Sequence, residues 1–135
     1  MKGRAKELAR LDADPRTGYN WDLSPDGRRL ALVQRDSEGR IIILSLAGGA
    51  AQQVSVNGWR DFDNVAWAAG SKSFFVSTRV QGGSALLSVD LKGDARVLWT
   101  NTGGLGTLPV PSPDSRHLAL YGWLVNKNMW MMENF

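Results

Sequence analysis

The chain has 135 residues, 43% of them hydrophobic, which is enough for one domain with a core and excludes a disordered chain. It contains no cysteine, so disulfides, thiolate metal sites and cysteine nucleophiles are excluded as well. The formal net charge of +3 comes from residues 1–10, because the rest of the chain carries equal numbers of basic and acidic side chains.

This distribution of charge and hydropathy limits the partners that we expect. A nucleic-acid-binding domain presents a basic stripe on its folded surface, whereas a short basic arm is typical of a solvated terminus. No apolar run approaches the roughly 20 residues that span a bilayer, and no apolar stretch follows the charges of residues 1–7 as it would in a secretory signal. We therefore expect neither nucleic-acid binding nor membrane insertion, and the compartment is left open.

Short strand candidates recur along the chain in groups of four, with a period of 44 residues. The apolar run Ile41–Leu44 is typical of a strand that is covered on both faces, and no segment has a convincing helical period. A fixed period of this length is the signature of stacked repeats, so we predict an all-β protein of four-stranded units. The predicted strands are Tyr19–Leu23, Leu30–Arg35, Ile41–Leu46 and Gln52–Val56, then Asn64–Trp67, Phe74–Arg79, Ala85–Asp90 and Arg96–Thr100, then Leu108–Pro111, Leu118–Trp123 and Met129–Glu133.

The turn between the first and second strand of each unit carries the clearest motif. Ser24-Pro-Asp-Gly27 supplies a preset φ, a side-chain acceptor and a positive φ in the order that a tight turn needs. Pro113-Asp-Ser115 repeats this motif less completely, and Ala69-Gly-Ser71 keeps only the spacing. Pro109 and Pro111 fall in a first strand, and because proline cannot donate to a ladder, we predict that the first strand is an edge strand.

The segment Trp21–Leu32, followed by Arg40–Gly49, resembles the WD-like repeat of the Pro-Asp type found in bacterial β-propellers, such as the periplasmic propeller of the Tol envelope system. The resemblance covers essentially the whole chain, and residues 128–133 are similar to the family's final third strand. It implies a β-propeller of four-stranded antiparallel blades and a periplasmic or other extracytoplasmic parent protein. It implies no catalytic residues, because the family has none in common.

The phase of the repeat predicts half a propeller in residues 1–135, with blades at about 19–56, 63–100 and 107–135 and a further strand at residues 6–11. Since propellers typically have four to eight blades, we predict a homodimer that closes a six-bladed ring by exchange of the N-terminal strand. The alternative is a fragment or engineered piece of a larger bacterial propeller, such as a sensor, kinase-associated or peptidase-associated domain. The predicted self-assembly residues are Glu7, Leu8, Ala9, Arg10 and Leu11 of one chain and Met129, Trp130, Met131, Met132 and Glu133 of the other.

The candidate binding residues lie at strand ends and in the loops between units. Trp59 is a candidate interaction hot spot, for which packing between blades is the alternative. Arg35 and Arg79 hold equivalent positions at the ends of second strands, where they would gather an anionic ligand or pair with Asp36, Asp61 or Asp63. The ligand or partner candidates are Trp59, Arg60, Arg35, Arg79, Tyr19 and Asn20.

Other chemistry-bearing residues have simpler explanations. Asp61 and Asp63 offer the oxygen ligands that calcium takes, but a solvated loop also explains them, and we expect no other cofactor. His117 follows Ser115 and Asp114 on a turn, and neighbours on a turn do not give the geometry of a catalytic triad. Residues 103–106 lack the lysine and hydroxyl residue of a phosphate-binding loop, and we interpret them as a flexible loop.

These observations favour a non-catalytic binding or scaffold propeller that binds itself and a protein or peptide partner. The second alternative is a propeller hydrolase or lyase, whose catalytic groups would stand on the first strands near the channel mouth. Those strands offer only Tyr19, Asn20, Asp22 and Asn64 for such a role.

Overall fold

The computed structural model describes residues 3–7, 18–35 and 38–124, and within them it contains antiparallel strands and no helix. The strands are β1 (Tyr19–Leu23), β2 (Arg29–Gln34), β3 (Arg40–Ser45), β4 (Gln52–Ser55), β5 (Phe62–Trp67), β6 (Ser73–Val80), β7 (Gly83–Asp90), β8 (Ala95–Thr102), β9 (Gly104–Pro111) and β10 (Leu118–Leu124). The first sheet consists of β1–β4, the second of β5–β8 and the third of β9 and β10, each in sequence order. The predicted all-β architecture is therefore confirmed.

All ten strands that the sequence predicts before residue 125 are present, with ends within four residues of the expected positions. The predicted strand Met129–Glu133 lies outside the described residues, as do residues 8–11 of the predicted N-terminal strand. Glu7, which would begin that strand, is described and exposed.

The three sheets lie side by side about their first strands. β1 contacts β5, and β5 contacts β9, so each sheet turns one face towards its neighbour. Within residues 18–35 and 38–124, every first strand pairs with the second strand alone and is an edge of its sheet, as Pro109 and Pro111 predict. Ser112 donates its backbone N–H to the His117 carbonyl, so by alternation both prolines occupy positions that need no donor towards β10. This arrangement is propeller-like.

The turns between the first and second strands have the same backbone geometry in all three sheets. The first turn residue donates its N–H to the carbonyl five residues on, over 2.8, 2.9 and 2.9 Å. The fourth residue has a positive φ of 69° at Gly27, 54° at Ser71 and 61° at Ser115. The middle turn thus keeps this conformation although it has lost the proline and the aspartate of the motif.

The repeat is less regular on the third strand than on the first two. Leu32 pairs with Ile42, whereas Val76, which follows Leu32 by 44 residues, pairs with Leu87, which follows Ile42 by 45. A bulge between Leu86 and Leu87 shifts the pairing with β8. The second sheet therefore has one extra residue between its second and third strands. This insertion is compensated before the second sheet ends, because the first strand of the third sheet again follows that of the second sheet by 44 residues.

The hydrophobic core lies between the first and second sheets. The rings of Trp67 and Phe74 meet there with centroids 4.4 Å apart, and Trp67 is 1% exposed, which confirms its predicted core position. The guanidinium carbon of Arg29, from the first sheet, lies 4.6 Å from the centre of the Trp67 ring. The buried core residues are Ala31, Val33, Ile41, Ile43, Val54, Val56, Phe62, Val65, Trp67, Phe74, Val76, Ala85, Leu87 and Val89.

The expectation of a flexible loop at residues 103–106 is wrong. Gly103, with a φ of 75°, forms a tight turn, and β9 begins at the next residue. A Cβ atom on Gly104 would overlap the side-chain amide of Asn101, and one on Gly106 would lie 2.5 Å from Cζ2 of Trp123. These glycines allow close packing within a strand, a role that the sequence does not distinguish from flexibility.

Replacing Trp67 with alanine should lower the free energy of unfolding by about 3–5 kcal/mol, because it removes a fully buried aromatic side chain. Trp99→Ala is the matched control, since Trp99 is 40% exposed on the outermost strand of the same sheet, and we expect it to cost about 1 kcal/mol. Urea unfolding followed by circular dichroism measures both values. Equal losses would contradict the position of the core.

The turn aspartates should titrate at low pH. The Ser24 hydroxyl, and then the Arg28 backbone N–H, hydrogen-bond to the Asp26 carboxylate and hold its pKa below the ordinary value of 3.8. A carboxyl whose pKa is lower in the folded chain stabilises it above the unfolded pKa, and this contribution disappears as the pH falls through the folded pKa. We expect the NMR titration midpoint of Asp26 to lie below 3.8, and to rise in Ser24→Ala but not in Ser55→Ala. An unchanged midpoint in Ser24→Ala would contradict this cause.

Candidate functional site

The second strands of the sheets end side by side around a groove at one end of the molecule. Arg35 follows β2, Arg79 lies near the end of β6, and Trp123 holds the equivalent position in β10, at intervals of 44 residues. All three residues line a groove of about 650 Å³, which we call the arginine groove. Its other lining residues are Val80, Gly82, Gly83, Gly103, Gly104 and Leu105.

A buried carboxylate holds the two arginines together. Asp63 lies at a bulge of β5 and is 2% exposed. Nε and Nη2 of Arg79 each donate to a different oxygen of Asp63 over 3.1 Å, and Nε of Arg35 lies 3.5 Å from Oδ1. For Arg35 and Arg79 the sequence left open pairing with an aspartate and binding of an anionic ligand. The structure pairs both with Asp63, and binding of an anion stays a prediction.

The ion pairs leave much of each arginine in solvent. The side chain of Arg35 is 53% exposed and that of Arg79 is 58% exposed. Two guanidinium groups face one carboxylate, so these three side chains together carry a net positive charge. Since a guanidinium carries five N–H donors, both arginines keep donors that Asp63 does not use.

Asn20 helps to fix the backbone behind Asp63. Its side-chain amide donates to the Asp63 carbonyl across the gap between the first and second sheets. Asn64, which follows by 44 residues, donates likewise to the Thr107 carbonyl of the third sheet over 3.4 Å. Asn20 therefore joins two sheets, and Tyr19 beside it is partly buried. Ligand binding by these two residues stays a prediction.

The Trp59 loop lies between the first and second sheets. Trp59 is partly buried and packs against the core, as the packing interpretation holds. Arg60 and Asp61 are exposed, and the carbonyl of Arg60 accepts a hydrogen bond from the Thr78 hydroxyl. A Cβ atom on Gly39 would overlap the Trp59 carbonyl, so the loop fits closely against its neighbour. Partner binding by Trp59 and Arg60 stays a prediction.

Metal ligands and catalytic groups are not brought together in the described ranges. Over residues 3–7, 18–35 and 38–124, no three His, Asp or Glu side chains cluster around a point that could hold a metal ion. Both oxygens of Asp63 accept from arginine, so calcium binding at Asp61 and Asp63 stays a prediction that requires those ion pairs to open. His117 is exposed, and its backbone N–H donates to the Ser112 hydroxyl over 2.9 Å.

Sequence reasoning missed the contribution of Trp123 to the groove. The 44-residue spacing was the available signal, because it placed Trp123 level with the two arginines.

The apolar residues of β1 and β9 that remain exposed were not identified individually either. Trp21 is 63% exposed on β1 and Val110 is 52% exposed on β9, and strict alternation along each strand is the pattern that would have identified them.

Removing one partner of the ion-pair cluster should have an unequal effect. Arg79→Leu leaves the buried Asp63 carboxylate with Arg35 alone, and we expect a loss of about 2 kcal/mol in the free energy of unfolding. Asp63→Asn keeps an acceptor oxygen and leaves two solvated arginines, so it should cost about 1 kcal/mol or less. Urea unfolding at neutral pH compares them, with the exposed Arg96→Leu as control. A larger loss for Asp63→Asn would contradict this account.

The fold has a counterpart among solved structures. It is similar to the structure of “putative TolB” from Agrobacterium tumefaciens, with a TM-score of 0.55 and 22% sequence identity over 78% of this chain. The chain spans 42% of the length of that protein. No family model and no curated protein matches the sequence. The likeness supports the propeller-like architecture, and the WD-like type of the repeat stays a prediction.

Proposed function

We propose that this chain is a non-catalytic binding and scaffold module that completes its propeller ring with a second copy of itself. The observation that supports this proposal is the pair of apolar sheet faces, one at each end of the sheet array, that no sheet of the described residues covers. Each open face corresponds, through the 44-residue repeat, to a face that is buried between neighbouring sheets in the same chain.

The open face of the first sheet points away from the second sheet. Its side chains alternate with those of the core, and Trp21 and Leu23 are 63% and 45% exposed. Their equivalents in the second sheet are Val65 and Trp67, which are buried against the first sheet at 4% and 1% exposure. The face consists of Trp21, Leu23, Leu30, Leu32, Ile42 and Leu44.

The open face of the third sheet points away from the second sheet on the opposite side. Leu108, Val110 and Tyr121 on this face are 39%, 52% and 64% exposed. The equivalent strands of the first sheet present Ala31 and Val33 to the second sheet, where both are buried. The open face of the third sheet of one copy can therefore cover the open face of the first sheet of another copy. This contact would be equivalent to the contact that the first sheet makes with the second sheet within one chain.

A second copy supplies both missing contacts at once. Two chains related by a two-fold axis would each place their third sheet against the partner's first sheet, and the ring would have six units, within the usual range for propellers. Exchange of the N-terminal strand, Glu7–Leu11, onto the partner's Met129–Glu133 is part of the proposal and rests on the repeat phase alone. A protein or peptide partner on the finished ring also belongs to the proposal.

The absence of catalysis rests on the site residues that the structure describes. Asp22 accepts the Trp67 backbone N–H over 2.7 Å, and Asn20 and Asn64 bridge sheets, so the polar groups of the first strands serve packing. A periplasmic or other extracytoplasmic parent, which the family resemblance implies, stays a prediction. Within the described ranges there is no helix of the length and apolarity required to cross a membrane.

A second candidate function has its own support. Because the chain spans 42% of the Agrobacterium protein, the remaining sheets of a longer propeller would cover the same two faces. In that case the chain is part of a larger binding propeller and has no assembly function of its own. The two candidates differ in the mass that the isolated chain shows in solution.

Light scattering should give a mass of twice 14.8 kDa for the isolated chain at micromolar concentration. Trp21→Glu and Tyr121→Glu, each of which places a charge on one open face, should reduce the mass to that of one chain without lowering the melting temperature of that chain. Deletion of residues 1–11 tests the strand exchange in the same way.

Leu91→Glu is the control for these substitutions, because Leu91 is 40% exposed in the turn between β7 and β8, away from both open faces. It should leave the mass at two chains. A wild-type mass of one chain at all concentrations would reject self-assembly and favour the longer propeller. A dimer that persists after deletion of residues 1–11 would reject the strand exchange alone.

A further inference from the structure

We infer that the arginine groove binds a small organic carboxylate, with the carboxylate on Arg35 and Arg79 and the hydrocarbon part against Trp123. The inference gives a ligand class to the proposed binding module and rests on that proposal only for its biological role. Every residue that lines the groove belongs to one chain, so binding is testable on a single chain. Trp123 lies on the same face of the third sheet as Tyr121, which the proposed second copy would cover.

The arginines are positioned before any ligand arrives. Asp63 is buried and receives two hydrogen bonds from Arg79, so this guanidinium is fixed along its Nε–Nη2 edge. Arg35 contacts the same carboxylate through Nε, which lies 3.5 Å from Oδ1. Because Asp63 already holds both arginine side chains, a ligand does not have to order them, and the entropy cost of binding is lower.

The charge of the groove fits a singly charged anion. Two guanidinium groups and one carboxylate leave a net charge of one positive unit, which a monocarboxylate balances. The planar fork of a guanidinium matches the two oxygens of a carboxylate, and such charge-assisted pairs are about twice as strong as neutral hydrogen bonds. A cation is disfavoured here, because both guanidinium groups repel it.

Trp123 forms a flat apolar wall in this groove. Its ring lies over Gly106, where a Cβ atom would come within 2.5 Å of Cζ2, and its centroid is 5.8 Å from that of Tyr121. Gly106 thus provides the space that Trp123 occupies. An indole held in this way offers apolar surface to a hydrocarbon chain or ring at little cost in side-chain entropy.

The remaining walls of the groove leave room for a small molecule. Four of its lining residues are glycines, and the volume of about 650 Å³ lies within the usual range of ligand sites. Gly82 and Gly103, with φ of 80° and 75°, form the tight turns at its rim. 3-Phenylpropanoate, which joins a carboxylate to an aromatic hydrocarbon part, is a suitable probe of this groove.

Calorimetric titration with 3-phenylpropanoate, 3-phenylpropanamide, acetate and inorganic phosphate tests the inference. We expect 3-phenylpropanoate to bind at least tenfold more tightly than the uncharged amide, because the amide loses the charge-assisted hydrogen bonds. It should also bind more tightly than acetate and phosphate, which have no hydrocarbon part to place on Trp123. Equal binding of the acid and the amide, or tighter binding of phosphate, would overturn the inference.

Three substitutions locate the site. Arg35→Gln should weaken 3-phenylpropanoate binding about tenfold, while Arg79 still compensates Asp63, and Trp123→Leu should weaken it without removing the preference for the acid over the amide. Arg28→Gln, at the opposite end of β2, is the matched control and should leave binding unchanged. If Trp123→Leu does not fold, Trp123→Tyr serves in its place. Equal effects of Arg28→Gln and Arg35→Gln would show general charge attraction and reject the site.

The same titration on Trp21→Glu separates this inference from self-assembly. Tyr121 contacts Trp123, so Trp21, which lies on the first sheet away from the groove, is the suitable position. Binding by a single-chain Trp21→Glu variant would support the groove whatever the mass of the wild type. Loss of binding together with the dimer would reject a site within one chain.

Discussion

Both faces of the second sheet are covered by neighbouring sheets, and the packing of the rest of the structure depends on this constraint. A sheet that is buried on both faces has no solvent face, so it is stable only between two other sheets. Val65, Trp67, Phe74 and Val76 satisfy this condition on one side of the second sheet, where they meet the first sheet. Leu86, Ser77 and Ser84 are buried on the side of the third sheet. The first sheet and the two described strands of the third sheet each contact one neighbouring sheet within residues 18–35 and 38–124.

The order of strands and turns could be predicted from the sequence because it depends on neighbouring residues. Ser24-Pro-Asp-Gly27 specifies its own turn, and the spacing of 44 residues carries that assignment to the turn at Ser71, whose own residues do not specify it. The backbone requires a positive φ at the fourth position, and serine accepts it there at a moderate cost, since tertiary packing holds the flanking strands. Periodicity was therefore a better guide than the local motif.

The groove could be predicted only in part, because its contacts join residues far apart in sequence. Arg35 and Arg79 were identified from the repeat. Asp63 is directed towards both arginines by a bulge, which is a one-residue shift in strand pairing that no local sequence pattern predicts. Residues 103–106 are a second example of residues whose contacts the sequence does not predict. A glycine that makes room for Trp123 and a glycine that loosens a loop are identical in sequence, and only the partner across the strand pair distinguishes them.

Asp63 belongs to the second sheet, whereas Arg35 belongs to the first, so their ion pair joins two sheets across the gap between them. Any anion that competes for Arg35 therefore acts on the contact between sheets as well as on the groove. By thermodynamic linkage, a change in the contact between the two sheets would alter the affinity for such an anion by the same factor by which the anion alters the equilibrium of that contact. Asp63 would thus couple binding in the groove to the contact between the sheets.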